Sequence, residues 1–173
     1  MNLIWSDLHI NHEAILRYEN RPFKDVKEMK RVLTMNWKSA TTSHDTVFVL
    51  GDVAFRTTKE ELTEIIQNLP GKKVLVLGNH DRSRSLHWWH DVGFAEVYKY
   101  PIIYRDWFIL SHEPVYVGPE MPYVNIHGHT HGESSTNPRK VNVCVEATDY
   151  KPVSLDGIIA KFTKQQQTTE ESV

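Results

Sequence analysis

The chain has 173 residues, of which 40% are hydrophobic and 24% charged, and its formal net charge is −2. This length suits one domain with a sizeable buried core, and the composition is that of an ordinary globular protein. The near-neutral charge argues against a general basic surface for duplex nucleic acid, although a local basic patch stays open.

The cysteine content and the apolar runs bear on where the protein resides. The single cysteine, Cys144, excludes an internal disulfide and is typical of a reducing compartment. No apolar run approaches membrane-spanning length, and the N-terminus lacks a basic region followed by a long apolar segment. We therefore expect a cytoplasmic protein with no membrane partner.

The first half of the chain alternates apolar runs with amphipathic segments. Residues 2–6 form an apolar run that predicts a strand covered on both faces. Residues 25–39 place apolar side chains at helical spacing, and a second strand-like run follows at 46–50. Residues 58–69 open with a capping-box pattern and end before a Pro-Gly pair, which predicts another helix.

The second half adds further strands. A third apolar run at 73–77 leads to a short predicted helix at 83–91. Residues 94–110 alternate in hydrophobicity and turn at Arg105-Asp106, so we expect antiparallel strands there. The fourth and fifth apolar runs lie at 107–110 and 123–126.

These elements predict an α/β class with a mixed sheet or a pair of packed sheets. The polar tail at 164–173 has too few apolar residues to pack and is expected to be disordered. Residues 1–163 would then form a single domain.

Polar clusters follow all five apolar runs directly. In chain order they read DLH, GD, GNHD, SHEP and HGHTH. In open α/β folds, ligands bind outside the carboxyl ends of the strands, so these clusters should meet in one place. Each alone could be a turn or a helix cap. Together they supply seven oxygen and nitrogen donors: Asp7, His9, Asp52, Asn79, His112, His129 and His131.

This donor set predicts a metal centre. Structural zinc sites favour cysteine ligands, whereas oxygen and nitrogen donors suit Mn, Fe, Zn or Ni. Seven ligands exceed the need of one tetrahedral ion, so we expect two ions about 3.5–4 Å apart with one bridging carboxylate. His129 and His131 are two residues apart, as are Asp7 and His9, so each pair points to one side of an extended chain.

The five blocks, in this order and at this spacing, resemble those of the calcineurin-like metallophosphoesterase superfamily over residues 3 to about 131. The stretches NHEAILRYENRPF and DYKPVSLDGI also resemble a small bacterial and phage branch of that superfamily. The resemblance implies a β-sandwich of two mixed sheets flanked by helices, which is the four-layer metallophosphoesterase fold.

The resemblance also implies a role for each donor. One ion would take Asp7, His9, Asp52 and His131. The other would take Asp52, Asn79, His112 and His129, so that Asp52 bridges. His80 would face the leaving group without binding metal, and Asp81 would orient its ring. The GDVAFR block lacks the DRG run of protein Ser/Thr phosphatases, and GNHD replaces their GNHE, so a protein phosphatase is not expected.

The predicted activity is that of a dinuclear phosphodiesterase that hydrolyses a nucleotide or a nucleic-acid-derived diester. Two divalent ions, with manganese favoured, would hold the phosphoryl oxygens and acidify a bridging water to the attacking hydroxide. His80 would protonate the departing oxygen. A phosphomonoesterase of small substrates is one alternative, and a non-catalytic scaffold is another, although a scaffold should have lost ligands. A metallo-β-lactamase-type hydrolase is disfavoured because no HxHxDH run is present.

Residues close to the donor blocks are candidates for contacts with the substrate, which would be a small phosphodiester or nucleotide. Arginine can grip two phosphate oxygens at once. The candidates are His12, Arg17, Arg21 and Arg56. Trp88 and Trp89 could stack on nucleobases, but they are more typical of a helix that packs its tryptophans on a sheet. The sequence does not indicate an oligomeric state.

Overall fold

The computed structural model describes the backbone of residues 1–170 and the side chains of residues 1–163. A five-stranded sheet has the order β4-β3-β2-β1-β9, in which β1 to β4 are parallel and β9 is antiparallel to β1. Its strands are β1 (Asn2–Trp5), β2 (Thr46–Val49), β3 (Lys72–Val76), β4 (Glu96–Tyr98) and β9 (Val153–Ser154).

The second sheet has four strands in the order β5-β6-β7-β8. Its strands are β5 (Ile102–Tyr104), β6 (Phe108–Ser111), β7 (Val124–His127) and β8 (Lys140–Asn142). β5 is antiparallel to β6, and the other pairs are parallel. Both sheets are therefore mixed, and in each of them three or more parallel strands end at the same edge.

Within residues 1–170, five α-helices and one 3₁₀ helix accompany the sheets. They are α1 (Glu13–Tyr18), α2 (Val26–Ala40), α3 (Lys59–Gln67), α4 (Leu86–Val92), α5 (Leu155–Glu170) and the 3₁₀ helix Val145–Thr148. Asp25, Thr58 and Ser85 each accept a hydrogen bond from a backbone N–H in the first turn of the helix that follows. These caps satisfy donors that have no partner inside the helix, and they set where α2, α3 and α4 begin.

Two hydrophobic cores lie on the two faces of the five-stranded sheet. On one face, strand residues such as Trp5 and Leu75 pack against Leu33 and Trp37 of α2 and against α1, α3 and α4. On the other face, Phe48 and its neighbours pack against the four-stranded sheet and α5. The alternation of side chains along each strand supplies both cores. The predicted α/β class, a β-sandwich of two mixed sheets flanked by helices, is confirmed.

The expectation for residues 94–110 is partly wrong. β5 and β6 form the predicted hairpin, with Arg105 and Asp106 both in left-handed backbone at its turn (φ 47° and 63°). β4, however, pairs in parallel with β3 in the other sheet. The physical reason is α4, which carries the chain back to the starting edge of β3, so that the next strand runs parallel to it.

Several elements were not predicted. α1 is less than two turns long, and its N-cap, His12, makes no side-chain capping bond, so the usual signal for the start of a helix is missing. α5 continues through Glu170, while the side chains from residue 164 and all of residues 171–173 lie outside the described residues. The expected disorder of the tail therefore stays a prediction. Within the described residues, no helix is both long and apolar enough to span a membrane.

Candidate metal centre

The polar clusters after β1, β2, β3, β6 and β7 meet at one edge of the sandwich. The N–H of Val145 donates to the carbonyl of Ser6 (3.1 Å), which joins the two sheets there, and the N–H of Gly128 donates to the carbonyl of His112 (3.0 Å). The structure brings together all seven predicted donors: Asp7, His9, Asp52, Asn79, His112, His129 and His131.

Five of these seven residues adopt left-handed backbone, which is rare outside glycine. They are Asp7 (φ 59°), His9 (φ 48°), Asp52 (φ 53°), His129 (φ 69°) and His131 (φ 46°). Such conformations cost about 1–3 kcal/mol each and gather at functional sites, where the surrounding structure enforces them. The strain indicates that the loops are held so as to aim these side chains at a common point.

Two glycines allow the loops to approach each other closely. A Cβ on Gly78 would lie 2.2 Å from Oδ1 of Asp52, and a Cβ on Gly128 would lie 2.4 Å from Oδ2 of Asp7. Both separations are shorter than van der Waals contact, so any side chain here would displace a carboxylate of the site.

Asp7 has one oxygen saturated with hydrogen bonds and one without a partner. Oδ2 accepts from the Ser6 hydroxyl (2.6 Å), the His129 N–H (2.8 Å) and the Cys144 thiol (3.2 Å). Oδ1 is buried and has no partner among the described residues. Burial alone would raise the pKa of Asp7, but the imidazoles of His9 and His112 and the Ser6 hydroxyl hold it below its ordinary value. An ionised oxygen therefore faces the centre.

His9 and His131 face that oxygen. His9 Nε2 lies 3.7 Å from Asp7 Oδ1 and 3.5 Å from Asp52 Oδ2, and His131 Nε2 lies 4.0 Å from Asp7 Oδ1. His9 Nε2 is also buried without a hydrogen-bond partner among the described residues. Burial lowers the pKa of His9 to about 4, so its ring is neutral near pH 7 and offers a lone pair.

A second donor group lies on the other side of Asp52. Nε2 of His112 is 2.8 Å from Asn79 Oδ1, and Nδ1 of His129 is 3.1 Å from the same oxygen. His112 Nδ1 donates to the Leu50 carbonyl (2.7 Å), which leaves Nε2 as the ring nitrogen that faces the centre. Nε2 of His112, Nδ1 of His129 and Oδ1 of Asn79 are all atoms that can bind a cation.

Asp52 is shared by the two groups. Its Oδ2 faces His9, and its Oδ1 is 3.6 Å from His112 Nε2. Donors that share an ion at bond lengths of about 2.1 Å lie about 3–4 Å apart. The separations in the first group, 3.5–4.0 Å, fall in this range, and those in the second group run from 2.8 to 3.6 Å. Burial, assisted by the charge of Asp7, raises the pKa of Asp52 to about 7. The two groups of donors and the shared carboxylate fit two divalent cations.

The role expected for Asp81 is wrong. Its buried carboxylate accepts from the backbone N–H groups of Asp52 (2.7 Å), Gly78 (2.9 Å) and Val53 (3.2 Å), and makes no bond to the ring of His80. Burial, followed by the charge of Asp52, raises the pKa of Asp81 to about 6. Asp81 therefore ties the loops after β2 and β3 together, and the neighbouring rings orient His80.

His80 lies at the open side of the centre. Its side chain is 35% exposed, and Nε2 is 3.8 Å from Asp52 Oδ2. The ring makes edge contacts with His9 (centroids 5.4 Å apart) and Phe55 (5.6 Å apart). Its backbone N–H donates to Asp52 Oδ1 (3.0 Å), which places the ring beside the shared carboxylate.

The expectation that Arg21 contacts substrate is also wrong. Arg21 is buried, and its guanidinium pairs with Glu146 (2.7 Å) and donates to the carbonyls of Asp7 (2.8 Å) and Leu8 (3.1 Å). Glu146 in turn accepts from Nδ1 of His131 (3.2 Å). Arg21 thus supports the loop that carries Asp7, and it orients His131 through Glu146.

The other candidates for substrate contacts differ in position. His12 lies against a donor residue, because its Nδ1 is 3.1 Å from Nδ1 of His9 and its ring stacks on Phe55. Arg56 is exposed, and its guanidinium lies over the Phe55 ring, 5.4 Å from the centroid. Arg17 is exposed in the last turn of α1. Contacts of these three residues with substrate stay predictions.

Glu146 was missed by the sequence reasoning, although a signal for it exists. Residues 140–145 form a strand-like run that ends directly in this acid, which repeats the pattern of the other five clusters. The side chain is mostly buried, and although burial opposes ionisation, His131 and Arg21 hold its pKa below the ordinary value. Glu146 is therefore an ionised partner for the imidazole of His131.

Glu146→Gln should weaken the binding of Mn²⁺ about ten- to a hundredfold. A carboxylate behind a ligand histidine fixes its tautomer and makes it a better donor, and an amide keeps the shape but loses the charge. The dissociation constant can be measured by isothermal titration calorimetry. The exposed Glu133→Gln, in the loop that carries His131, is the matched control, and equal affinities in the two variants would contradict this role.

Comparisons with known proteins agree with this geometry. A family model described as calcineurin-like phosphoesterase matches residues 3–160. The uncharacterized protein MJ1445 of Methanocaldococcus jannaschii is 35% identical, covering 92% of this chain and 89% of its own. The Gene 66 protein of Mycobacterium phage L5 is 31% identical, covering 82% and 84%. The crystal structure of AQ665 from Aquifex aeolicus, a protein of unknown function, has a TM-score of 0.71 and 28% identity, and covers 92% of this chain and 98% of that one.

Proposed function

The chain belongs to the calcineurin-like phosphoesterase family, and from this premise we propose that it is a two-metal phosphodiesterase. Membership implies a metal-dependent hydrolase of phosphoesters. The preference for diesters of nucleotides or of nucleic-acid origin, the number of ions and the choice of manganese are our proposals. The observation that carries the two-metal proposal is Asp52, whose two carboxylate oxygens face two separate groups of potential metal ligands.

The proposal gives each donor group one ion. Asp7, His9, Asp52 and His131 would hold the first, and Asp52, Asn79, His112 and His129 the second. When bound, the ions would supply Lewis acidity that neutralises the phosphoryl oxygens and acidifies water. Carboxylate and amide oxygens suit manganese, which is the ion we propose, and the imidazoles also suit iron, zinc or nickel.

The protein's own groups would complete the reaction. His80 is held beside Asp52, is partly exposed, and makes no side-chain hydrogen bond within the described residues, so its ring can carry a proton to the leaving oxygen. Asp7 would stay ionised because its Oδ2 accepts three hydrogen bonds, which keeps its second oxygen available as a ligand. Asp81 would hold the loops after β2 and β3 together through its bonds to their backbone N–H groups.

Two buried polar atoms without hydrogen-bond partners argue against a non-catalytic scaffold. Asp7 Oδ1 and His9 Nε2 are buried without partners among the described residues. A buried polar group that is left unsatisfied costs about 1–3 kcal/mol. A protein that no longer bound a cation would gain stability by losing such groups, so their retention favours an active centre.

We expect phosphodiesters to be cleaved in preference to phosphomonoesters. A monoester carries an additional charge, and enzymes for monoesters need further cationic groups around the three non-bridging oxygens. Arg21 is buried and bonded to Glu146 and to backbone carbonyls, while Arg56 lies over Phe55. Among the described residues, no guanidinium donates to a side chain of the two donor groups. The test is kcat/KM for bis-p-nitrophenyl phosphate and p-nitrophenyl phosphate at matched manganese concentration and pH. A clear preference for the monoester would overturn this proposal and would indicate that Arg56 supplies the missing positive charge.

A further inference from the structure

A cavity of about 240 Å³ opens beside His80, next to the candidate metal centre. Its walls include Phe55, Arg56, His80, Arg84, Trp88 and Trp89. Pockets that bury a drug-sized ligand have volumes of about 300–1,000 Å³, so this cavity suits a group of about one aromatic ring system. His80 belongs both to the cavity wall and to the surroundings of Asp52.

The aromatic wall is held in place from behind. Trp89 is buried, and its indole N–H donates to the Asp81 carbonyl (3.3 Å). Trp88 packs edge-to-face on Trp89, with centroids 4.8 Å apart, and stays partly exposed. Both tryptophans therefore pack on the core, as expected, but Trp88 is only partly buried and the rest of its indole lines the cavity.

Two arginines that form no ion pair among the described residues line the aromatic wall of the cavity. The guanidinium of Arg84 lies over the Trp88 ring, 5.1 Å from its centroid, and that of Arg56 lies over Phe55. Neither arginine forms an ion pair in the part of the chain that the structure describes, whereas the adjacent Arg82 is paired with Glu113. None of the described residues that line the cavity is acidic. The cavity thus combines flat apolar surfaces with uncompensated positive charge.

We propose that this cavity binds the nucleoside portion of the substrate, on the side of the leaving group. The base would stack on Trp88, and Arg84 and Arg56 would contact phosphate oxygens adjacent to the nucleoside. His80 would then separate the base from the scissile phosphate, as a group that protonates the leaving oxygen must. The substrate would accordingly be a nucleotide diester rather than a small aliphatic one. This inference rests on the proposed phosphodiesterase function.

The binding test uses adenosine 5′-monophosphate and ribose 5-phosphate as probes for the purified protein, measured by calorimetry with and without bound metal. We expect the base to strengthen binding in both states, and Trp88→Ala to weaken binding of the mononucleotide about tenfold or more, the usual effect of removing one stacking ring. Trp88→Phe should retain most of the affinity. Arg84→Ala, at an exposed position, should weaken the mononucleotide but not adenosine.

Trp107→Ala is the matched control, because this exposed tryptophan lies at the opposite end of β6 from His112. Equal binding of ribose 5-phosphate and the mononucleotide, or an unchanged affinity in both Trp88→Ala and Arg84→Ala, would overturn the subsite.

Hydrolysis of bis-p-nitrophenyl phosphate is measured in parallel. Base-dependent binding without any hydrolysis would support the subsite and refute the phosphodiesterase. Hydrolysis without base-dependent binding would refute the subsite alone.

Discussion

Asp52→Asn is expected to remove nearly all hydrolysis and to lower the metal content of the purified protein. Oδ2 of Asp52 faces His9, and Oδ1 faces His112, so one residue serves both donor groups. An amide offers only one oxygen and no charge, and it would turn an N–H₂ group towards one of the two ions. Elemental analysis after gentle purification, together with bis-p-nitrophenyl phosphate turnover, measures both effects.

The exposed Asp106→Asn in the β5–β6 turn is the control for this substitution. Treatment of the wild-type protein with a chelator should also remove its metal and its hydrolytic activity. A wild-type preparation that is fully active with fewer than one ion per chain would contradict the two-metal proposal. Full activity of Asp52→Asn would do the same.

The pH dependence of stability separates a lost metal site from a damaged fold. Burial raises the pKa of Asp52 to about 7 from the ordinary 3.8, so without metal the native state binds the proton more tightly than the unfolded chain. The contribution of Asp52 is present below the ordinary pKa and is lost as the pH rises through about 7. Metal-free Asp52→Asn lacks this loss, so the Tm of the variant should rise relative to that of the metal-free wild type between about pH 4 and pH 7.

His80→Ala is expected to retain its metals and to lose turnover about a hundred- to ten-thousandfold, the usual range for a general acid. The ring is 35% exposed on the open side of the centre, its Nε2 is 3.8 Å from Asp52 Oδ2, and no hydrogen bond to it is seen in the described residues. The loss should therefore fall on kcat. It should shrink for substrates whose leaving group, such as p-nitrophenolate, departs without a proton.

His87→Ala provides the matched control for His80, because this histidine is exposed on the surface of α4. Metal analysis of the His80 variant decides between two roles, since the side chain also lies near the donors His9 and Asp52. If His80→Ala arrives with a depleted metal content, then His80 is a ligand and not an acid. An equal loss on esters with good and poor leaving groups would also count against the proton transfer.

The sequence by itself determined the edge at which the site lies. Each of five apolar runs is followed directly by a polar cluster, and these clusters read DLH, GD, GNHD, SHEP and HGHTH. Neighbouring parallel strands of a sheet have their carboxyl ends at the same edge. No knowledge of contacts is needed for that inference, because it depends only on local hydrophobic patterns and on the geometry of parallel sheets. The assignment of the individual donors to two ions stays a prediction, which the geometry makes testable.

Only the tertiary structure decided what the supporting side chains do. Arg21 pairs with Glu146 across 125 residues of sequence, and Asp81 bonds the N–H of Asp52 from 29 residues away. Local sequence does not indicate partners so far along the chain, so it predicts a substrate contact for Arg21 and the orientation of His80 for Asp81. The parallel pairing of β4 and the partial exposure of Trp88 could not be predicted for the same reason. Pairing and burial follow from which distant segments meet, and that is settled only when the whole chain packs.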